Sequence, residues 1–163
     1  MMNRVVSAVA AVALIGVLAG FVQDEMKAKK EHVVLTPDDI KWADGPPSMP
    51  SGAKAAVLDG DPKKEGVFHL RLKMPAGYRV PPHRHPGDER VTVISGSFSL
   101  GFGESFDEEK TRALPAGSFF SIPPKTPHFA HVKEDTVIQL STLGPWTLEY
   151  VNPADDPRNS KKQ

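Results

Sequence analysis

The 163-residue chain contains no cysteine, which excludes disulfides, thiolate zinc sites, iron–sulfur clusters and cysteine nucleophiles. It also lacks an excess of one charge, because 20 lysines and arginines balance 20 aspartates and glutamates. Nothing in this balance indicates a nucleic-acid-binding surface. Long helical patterns and internal repeats are absent as well. Instead, 16 prolines and 13 glycines favour many turns and short strands.

Long apolar runs are confined to the N-terminus, over residues 5–22. A short positive start precedes this run, and Val17-Leu18-Ala19 offers a cleavage site after Ala19. We therefore expect residues 1–19 to be a signal peptide, with a periplasmic or secreted protein and no stable membrane insertion after cleavage. The alternative is an uncleaved anchor, since about eighteen apolar residues can just span a bilayer.

The rest of the chain suits one domain built from short strands. We predict a polar lead-in over residues 20–52, a β barrel over residues 53–151 and a polar tail over residues 152–163. In the clearest strand, alternate positions place one apolar set on a single face: Phe68, Leu70, Leu72 and Met74. Short strands separated by glycine and proline turns predict a small barrel or jelly roll.

The most informative pattern is a group of metal-ligand residue types in the middle of the chain. His83 and His85 are separated by one residue, so a strand sends both side chains to the same face. Pro86-Gly87-Asp88 is a turn sequence that can bring Glu89 back towards the same point. The full pattern is Gly77-x5-His83-x-His85-x3-Glu89-x6-Gly96. Its residue types and spacing indicate a metal site held on strands.

This pattern resembles the first signature of the cupin family, and part of the second signature follows it. Gly117, Pro123 and His128 match the second signature, whereas Lys125 and Val132 replace its turn glycine and its asparagine. Lysine tolerates a positive φ less well than glycine, so the turn at Lys125 is a departure from the family pattern. The resemblance covers roughly residues 53–150. It implies an all-β cupin double-stranded β-helix, which is a small jelly-roll barrel.

The resemblance also implies that one divalent metal ion is bound by His83, His85, Glu89 and His128. Three imidazoles and one carboxylate suit Fe, Mn, Zn, Ni or Cu. In an octahedral site, about two positions stay open for water, substrate or dioxygen, whereas a tetrahedral zinc would close the site. Ligand count alone therefore leaves catalysis open.

Two functions fit this ligand set. The first is a secreted or periplasmic enzyme that acts on a small oxygen-containing molecule. The resemblance allows a metal-dependent dioxygenase, decarboxylase or isomerase, in which Glu89 leaves the metal and serves as the catalytic base. The second is a non-catalytic, sensor-like module that binds metal or ligand. A barrel without function is disfavoured because the ligand set is complete. The resemblance further suggests a homodimer that exchanges edge strands.

Several other side chains lead to expectations that the structure can test. If Gln139 lies on the inner face of its strand, its side chain could hydrogen-bond a metal-bound water. In the alternative, Ile138, Leu140 and Thr142 face inward and form the core, and Gln139 faces outward. His131 is expected on the surface. The turn Ser95-Gly96-Ser97 predicts a hairpin. Arg84 and Lys125 either attract an anionic ligand or are solvated. Five phenylalanines form the barrel core or line an apolar pocket: Phe98, Phe102, Phe119, Phe120 and Phe129.

Overall fold

The structure is a computed structural model, and it describes residues 32–159. The expected signal peptide lies outside these residues and stays a prediction. Within residues 32–159, no helix has the length and apolar character needed to cross a membrane.

The described chain consists of eleven β strands joined by turns, with short 3₁₀ helices at Pro37–Asp39, Glu108–Lys110 and Pro153–Asp155. The strands are β1 (Ala43–Asp44), β2 (Lys54–Asp59), β3 (Gly66–Met74), β4 (Arg79–Arg84), β5 (Glu89–Ser95), β6 (Ser97–Phe102), β7 (Arg112–Pro115), β8 (Phe119–Ile122), β9 (His128–Val132), β10 (Thr136–Gly144) and β11 (Glu149–Tyr150). They form two antiparallel sheets, in the orders β1-β2-β3-β10-β5-β8 and β11-β4-β9-β6-β7. This arrangement confirms the predicted all-β jelly roll.

Alternation along the strands decides which side chains face the space between the sheets. On β3, the predicted apolar set is buried, and its partner strand β10 matches it in register through Ile138↔Leu72 and Leu140↔Leu70. Gln139 therefore lies on the outer face, where Arg71 Nε donates to its Oε1 at 3.0 Å. The hypothesis that Gln139 contacts a metal-bound water is wrong, because pairing with β3 imposes the opposite parity.

The predicted hairpin at Ser95-Gly96-Ser97 is also wrong. β5 pairs with β10 and β8 in one sheet, whereas β6 pairs with β9 and β7 in the other. The turn is thus a corner between the sheets. Gly96 has φ of +73°, and an added Cβ would lie 2.5 Å from Asp135 O. Thr136 Oγ1 donates to Ser97 O at 3.2 Å, which fixes the corner against the start of β10.

The segments flanking the predicted barrel also contact it. In the lead-in, β1 pairs with β2, and Lys54 Nζ lies 2.7 Å from Asp44 Oδ1. Further along, Met49 is buried among barrel residues. In the tail, Arg158 Nη2 donates to Leu148 O at 3.0 Å. These contacts place a loop of the lead-in against the barrel interior.

The phenylalanines divide between interior and surface. Phe98 and Phe129 are buried, and Phe120 stacks on Phe98 with ring centroids 5.6 Å apart. Phe102 and Phe119 are 58% and 63% exposed, so neither forms core. For these two, only the prediction of a core position is wrong; both line a surface depression beside Phe120.

Candidate metal centre

The two sheets bring the predicted ligands to one place between them. His83 lies on β4 and pairs in register with His128, the first residue of β9. His85 follows directly after β4. Glu89 begins β5 in the opposite sheet, after the turn that carries the chain across. The side chains thus come from both sheets, and all four are buried.

The ligand atoms of the three histidines form a tight group. One nitrogen from each of His83, His85 and His128 lies within 4.8 Å of the others, a spacing that could hold a metal ion. Glu89 adjoins this group: its Oε2 is 3.1 Å from His128 Nε2, and its Oε1 is 3.7 Å from His85 Nε2. The structure therefore brings all four predicted residues together.

Backbone carbonyls fix the orientation of each imidazole. His83 Nδ1 is 2.8 Å from Pro81 O, His85 Nδ1 is 2.7 Å from Thr147 O, and His128 Nδ1 is 3.0 Å from Thr126 O. A carbonyl only accepts, so each Nδ1 carries the proton and donates it. In a neutral ring, the Nε2 lone pair is then free to bind a metal.

Three buried polar atoms of the cavity residues have no hydrogen-bond partner: His85 Nε2, Glu89 Oε2 and the indole Nε1 of Trp146. His128 Nε2 lies 3.1 Å from Glu89 Oε2, so this carboxylate oxygen has an ion-pair partner in the metal-free site. Buried polar atoms normally have a hydrogen-bond partner, so atoms without one indicate a position where a ligand binds. A lone-pair nitrogen and a carboxylate oxygen are both metal donors, and the residues present fit a divalent ion.

The protonation states follow from burial and from the contact between Glu89 and His128. Burial, helped by the neighbouring histidines, lowers the pKa of His83 to about 3. Burial likewise lowers the pKa of His85. For Glu89, burial opposes ionisation, but His128 and the other imidazoles outweigh it and lower the pKa. For His128, burial alone would lower the pKa, but the Glu89 carboxylate outweighs burial and raises it. The metal-free site thus favours neutral His83 and His85 beside a charged pair.

The space around the ligands is small and apolar. The cavity measures about 30 Å³, enough for about one water molecule. Apart from the four predicted ligands, its lining is apolar or aromatic: Met49, Leu72, Met74, Val80, Phe98, Ala130, Ile138, Trp146 and Leu148. Only a very small molecule fits beside an ion unless the wall moves.

Two of these wall residues were not singled out for the site by the sequence analysis. Trp146 stacks on His85, with centroids 4.5 Å apart and planes inclined by 19°. Met49 enters the cavity from the lead-in. The aromatic character of Trp146 indicated packing, but no local pattern connected it with a histidine more than fifty positions earlier. Met49 stands in a proline-rich loop that carries no periodic signal.

The remaining candidates lie outside the cluster. His131 is only 5% exposed, so its predicted surface role is wrong: its Nε2 lies 3.2 Å from Thr111 Oγ1. Arg84 Nη2 is 3.6 Å from Glu104 Oε1. Lys125 adopts φ of +61°, and its backbone N–H donates to His85 O at 2.9 Å. The turn therefore keeps a glycine-like conformation although lysine occupies it.

Comparison with known proteins agrees with this fold. A family model described as a domain of unknown function (DUF4437) matches residues 23–147. Germin-like protein 3-1 from Oryza sativa subsp. japonica is 35% identical over 78 residues, covering 47% of this chain and 34% of that protein. The chain thus matches about a third of the length of this curated relative.

Solved structures with low sequence identity share the architecture. The polyketide cyclase RemF from Streptomyces resistomycificus has a TM-score of 0.62 at 16% identity, over 82% of this chain and 94% of its own. An RmlC-like cupin from Shewanella frigidimarina has a TM-score of 0.54 at 17% identity, over 70% and 91%. At such identities, the likeness shows the fold alone.

Proposed function

Because the chain belongs to the DUF4437 family and to the cupin superfamily, we propose that it binds one divalent metal ion through His83, His85, His128 and Glu89. The convergence of three imidazoles carries this proposal. Their Nδ1 atoms face backbone carbonyls, and their free nitrogens lie within 4.8 Å of one another. The Glu89 carboxylate, whose Oε2 lies 3.1 Å from His128 Nε2, supplies a negative donor beside them.

An ion in this site would supply a Lewis-acid centre with open coordination positions for a small oxygen-containing molecule. The chain's own residues would orient that molecule and exclude water, since the walls are apolar. As a base, Glu89 would accept a proton at Oε1 or Oε2, but the neighbouring imidazoles lower the pKa of its carboxyl group, which weakens it in this role. The function that this arrangement supports best is binding or conversion of a small oxygen-containing molecule.

A non-catalytic metal-binding module is the second candidate, and the size of the cavity favours it. A space of about 30 Å³ leaves little room for a substrate beside the ion. With zinc, four protein ligands complete a tetrahedral shell. The two functions therefore differ in whether the bound ion retains an exchangeable water.

We extend the proposal to location and assembly. A signal peptide over residues 1–19 would direct the protein to the periplasm or the exterior, as the apolar run over residues 5–22 suggests. A homodimer would pair the exposed edges of the sheets.

Elemental analysis of the full chain tests the metal site directly. We expect about one divalent ion per chain after purification or reconstitution, and loss of this ion in His85→Ala and in Glu89→Ala. His69→Ala is the matched control, because His69 lies on the outer face, with its Nδ1 3.0 Å from Ser141 Oγ. Metal retained at full stoichiometry by both cluster variants would contradict the assignment. Water exchange is then measured on the cobalt-substituted protein. An exchangeable water on the ion favours the enzyme, and its absence favours the non-catalytic binding module.

A further inference from the structure

The loop before β2 closes one side of the metal cavity. Met49, in this loop, is 6% exposed, and its side chain lines the cavity beside His83 and His85. The same residue also borders a larger surface depression of about 450 Å³, whose other walls include Pro47 and Pro157. Met49 therefore lies between the buried ligands and the exterior.

Two tyrosine hydroxyls hold the backbone on either side of Met49. Tyr150 donates to Ser48 O at 2.8 Å, and Tyr78 donates to Pro50 O at 2.5 Å. Burial raises the pKa of both phenols, which keeps the hydroxyls protonated as donors. These tyrosines belong to the framework of the site, since Tyr150 pairs with His83 in register and Tyr78 immediately precedes β4.

We propose that residues 48–50 form a lid, the Met49 lid, whose methionine side chain controls entry to the cavity and limits the size of the ligand that reaches the histidines. The consequence for ligands rests on the proposed metal function, but the lid is a property of the metal-free chain. The cavity beside the histidines has a volume of about 30 Å³, so a molecule of several heavy atoms needs additional space, and the side chain of Met49 bounds this cavity.

Met49 is better suited to move than Trp146, the other wall residue that also lines an outer groove. The indole of Trp146 stacks on His85 and lies edge-on to Phe68, with centroids 6.3 Å apart. Its backbone N–H donates to Pro62 O at 2.8 Å. Methionine is unbranched and has three rotatable bonds, so it can leave the cavity by rotamer changes and a small loop shift.

The tyrosine hydrogen bonds set how often the Met49 lid opens. A hydrogen bond of this kind contributes about 0.5–1.5 kcal/mol, so losing one multiplies the open population by about twofold to tenfold. Opening is a local event and leaves the paired strands intact. Tyr78→Phe and Tyr150→Phe remove one hydroxyl each while keeping the buried ring.

Chemical modification of the metal-free full chain measures this opening. Diethyl pyrocarbonate acylates accessible neutral imidazoles, and mass spectrometry resolves each histidine. In the wild type, we expect His83 and His85 to react far more slowly than exposed His32. Each tyrosine variant should accelerate both cavity histidines by about twofold to tenfold, and Met49→Ala by about tenfold or more. Met49→Leu, which keeps a side chain of similar volume but is less flexible, should react no faster than the wild type.

His131 distinguishes lid opening from unfolding. It shares β9 with His128, but it is buried on the side where Phe106 and Thr111 contact it, outside the cavity lining. The Met49 lid requires His83 and His85 to accelerate while His131 stays protected. If His131 reacted faster by the same factor in the tyrosine variants, the barrel as a whole would be opening, and the proposal of a local Met49 lid would be refuted. Unchanged His83 and His85 in Met49→Ala would overturn it as well, as would rapid reaction in the wild type.

Metal-loaded protein separates this inference from the proposed function. With Co²⁺ bound, fluoride, which is no larger than a water molecule, should bind equally well to the wild type and Met49→Ala, whereas imidazole should bind about tenfold more tightly to the variant. Failure of the wild type to bind any metal would refute the metal site but leave the acylation result to decide the lid. Equal imidazole affinity in both proteins would refute size selection by Met49.

Discussion

Replacing Glu89 by glutamine separates the ligand role of the carboxylate from its place in the core. Glutamine has nearly the same shape, so the substitution creates no cavity beside His128, which lies 3.1 Å away. The substitution removes the charge that pairs with His128, and His128 can respond by losing its proton, so the cost is about 1–3 kcal/mol of unfolding free energy. The metal-free variant should therefore remain folded but melt somewhat below the wild type, and each protein is compared with its own metal-free form.

The metal-loaded proteins should differ much more. At a free metal concentration of about 100 times Kd, binding stabilises the wild type by about 2.7 kcal/mol. For a domain of this size, about 1 kcal/mol corresponds to about 2–4 °C, so the wild type gains about 5–10 °C. Loss of the only anionic ligand should weaken binding by about 100-fold, which reduces the gain at the same concentration to about 1 °C.

Differential scanning calorimetry, with and without Mn²⁺ or Zn²⁺, measures this difference. Glu134→Gln is the control, because Glu134 is exposed and lies outside the cavity lining. It should retain the full metal-dependent shift. If Glu89→Gln also kept that shift, the ion would be held by the histidines alone, and the carboxylate would have no ligand role.

Three further predictions concern pH and the backbone. Because Glu89 raises the pKa of His128, protons compete for this ligand already above the ordinary imidazole pKa of about 6.5, and metal affinity should weaken as the pH falls through that range, as measured by isothermal titration. The lowered pKa values of His83 and His85 add no such competition in that range. Lys125→Gly should raise the urea-unfolding free energy by about 0.5–1 kcal/mol, since φ is +61°; a decrease would contradict strain there. Gly96→Ala should lower it by about 2 kcal/mol or more, because its Cβ would meet Asp135 O at 2.5 Å; an unchanged value would contradict the tight corner.

Local periodicity accounts for the parts of the fold and site that the sequence predicts. The alternating apolar residues of β3 lie on one face and are buried, as expected. One intervening residue likewise puts His83 and His85 in the same cavity. These predictions succeed because a strand repeats every two residues, whatever its neighbours are.

Which strands pair with each other cannot be read from local periodicity. This pairing determines the geometry of the Gly96 turn and the orientation of Gln139. A turn at Gly96 reverses the chain equally well within a sheet or between sheets, and only the pairing of β5 with β10 makes it a corner. The same pairing partners turn Gln139 outward. The position of Met49 depends on still more distant contacts, since Tyr150, about a hundred residues further along the chain, donates to the carbonyl of the preceding residue, Ser48. The sequence can therefore specify a ligand set through short spacing, whereas access to those ligands depends on tertiary contacts between segments far apart.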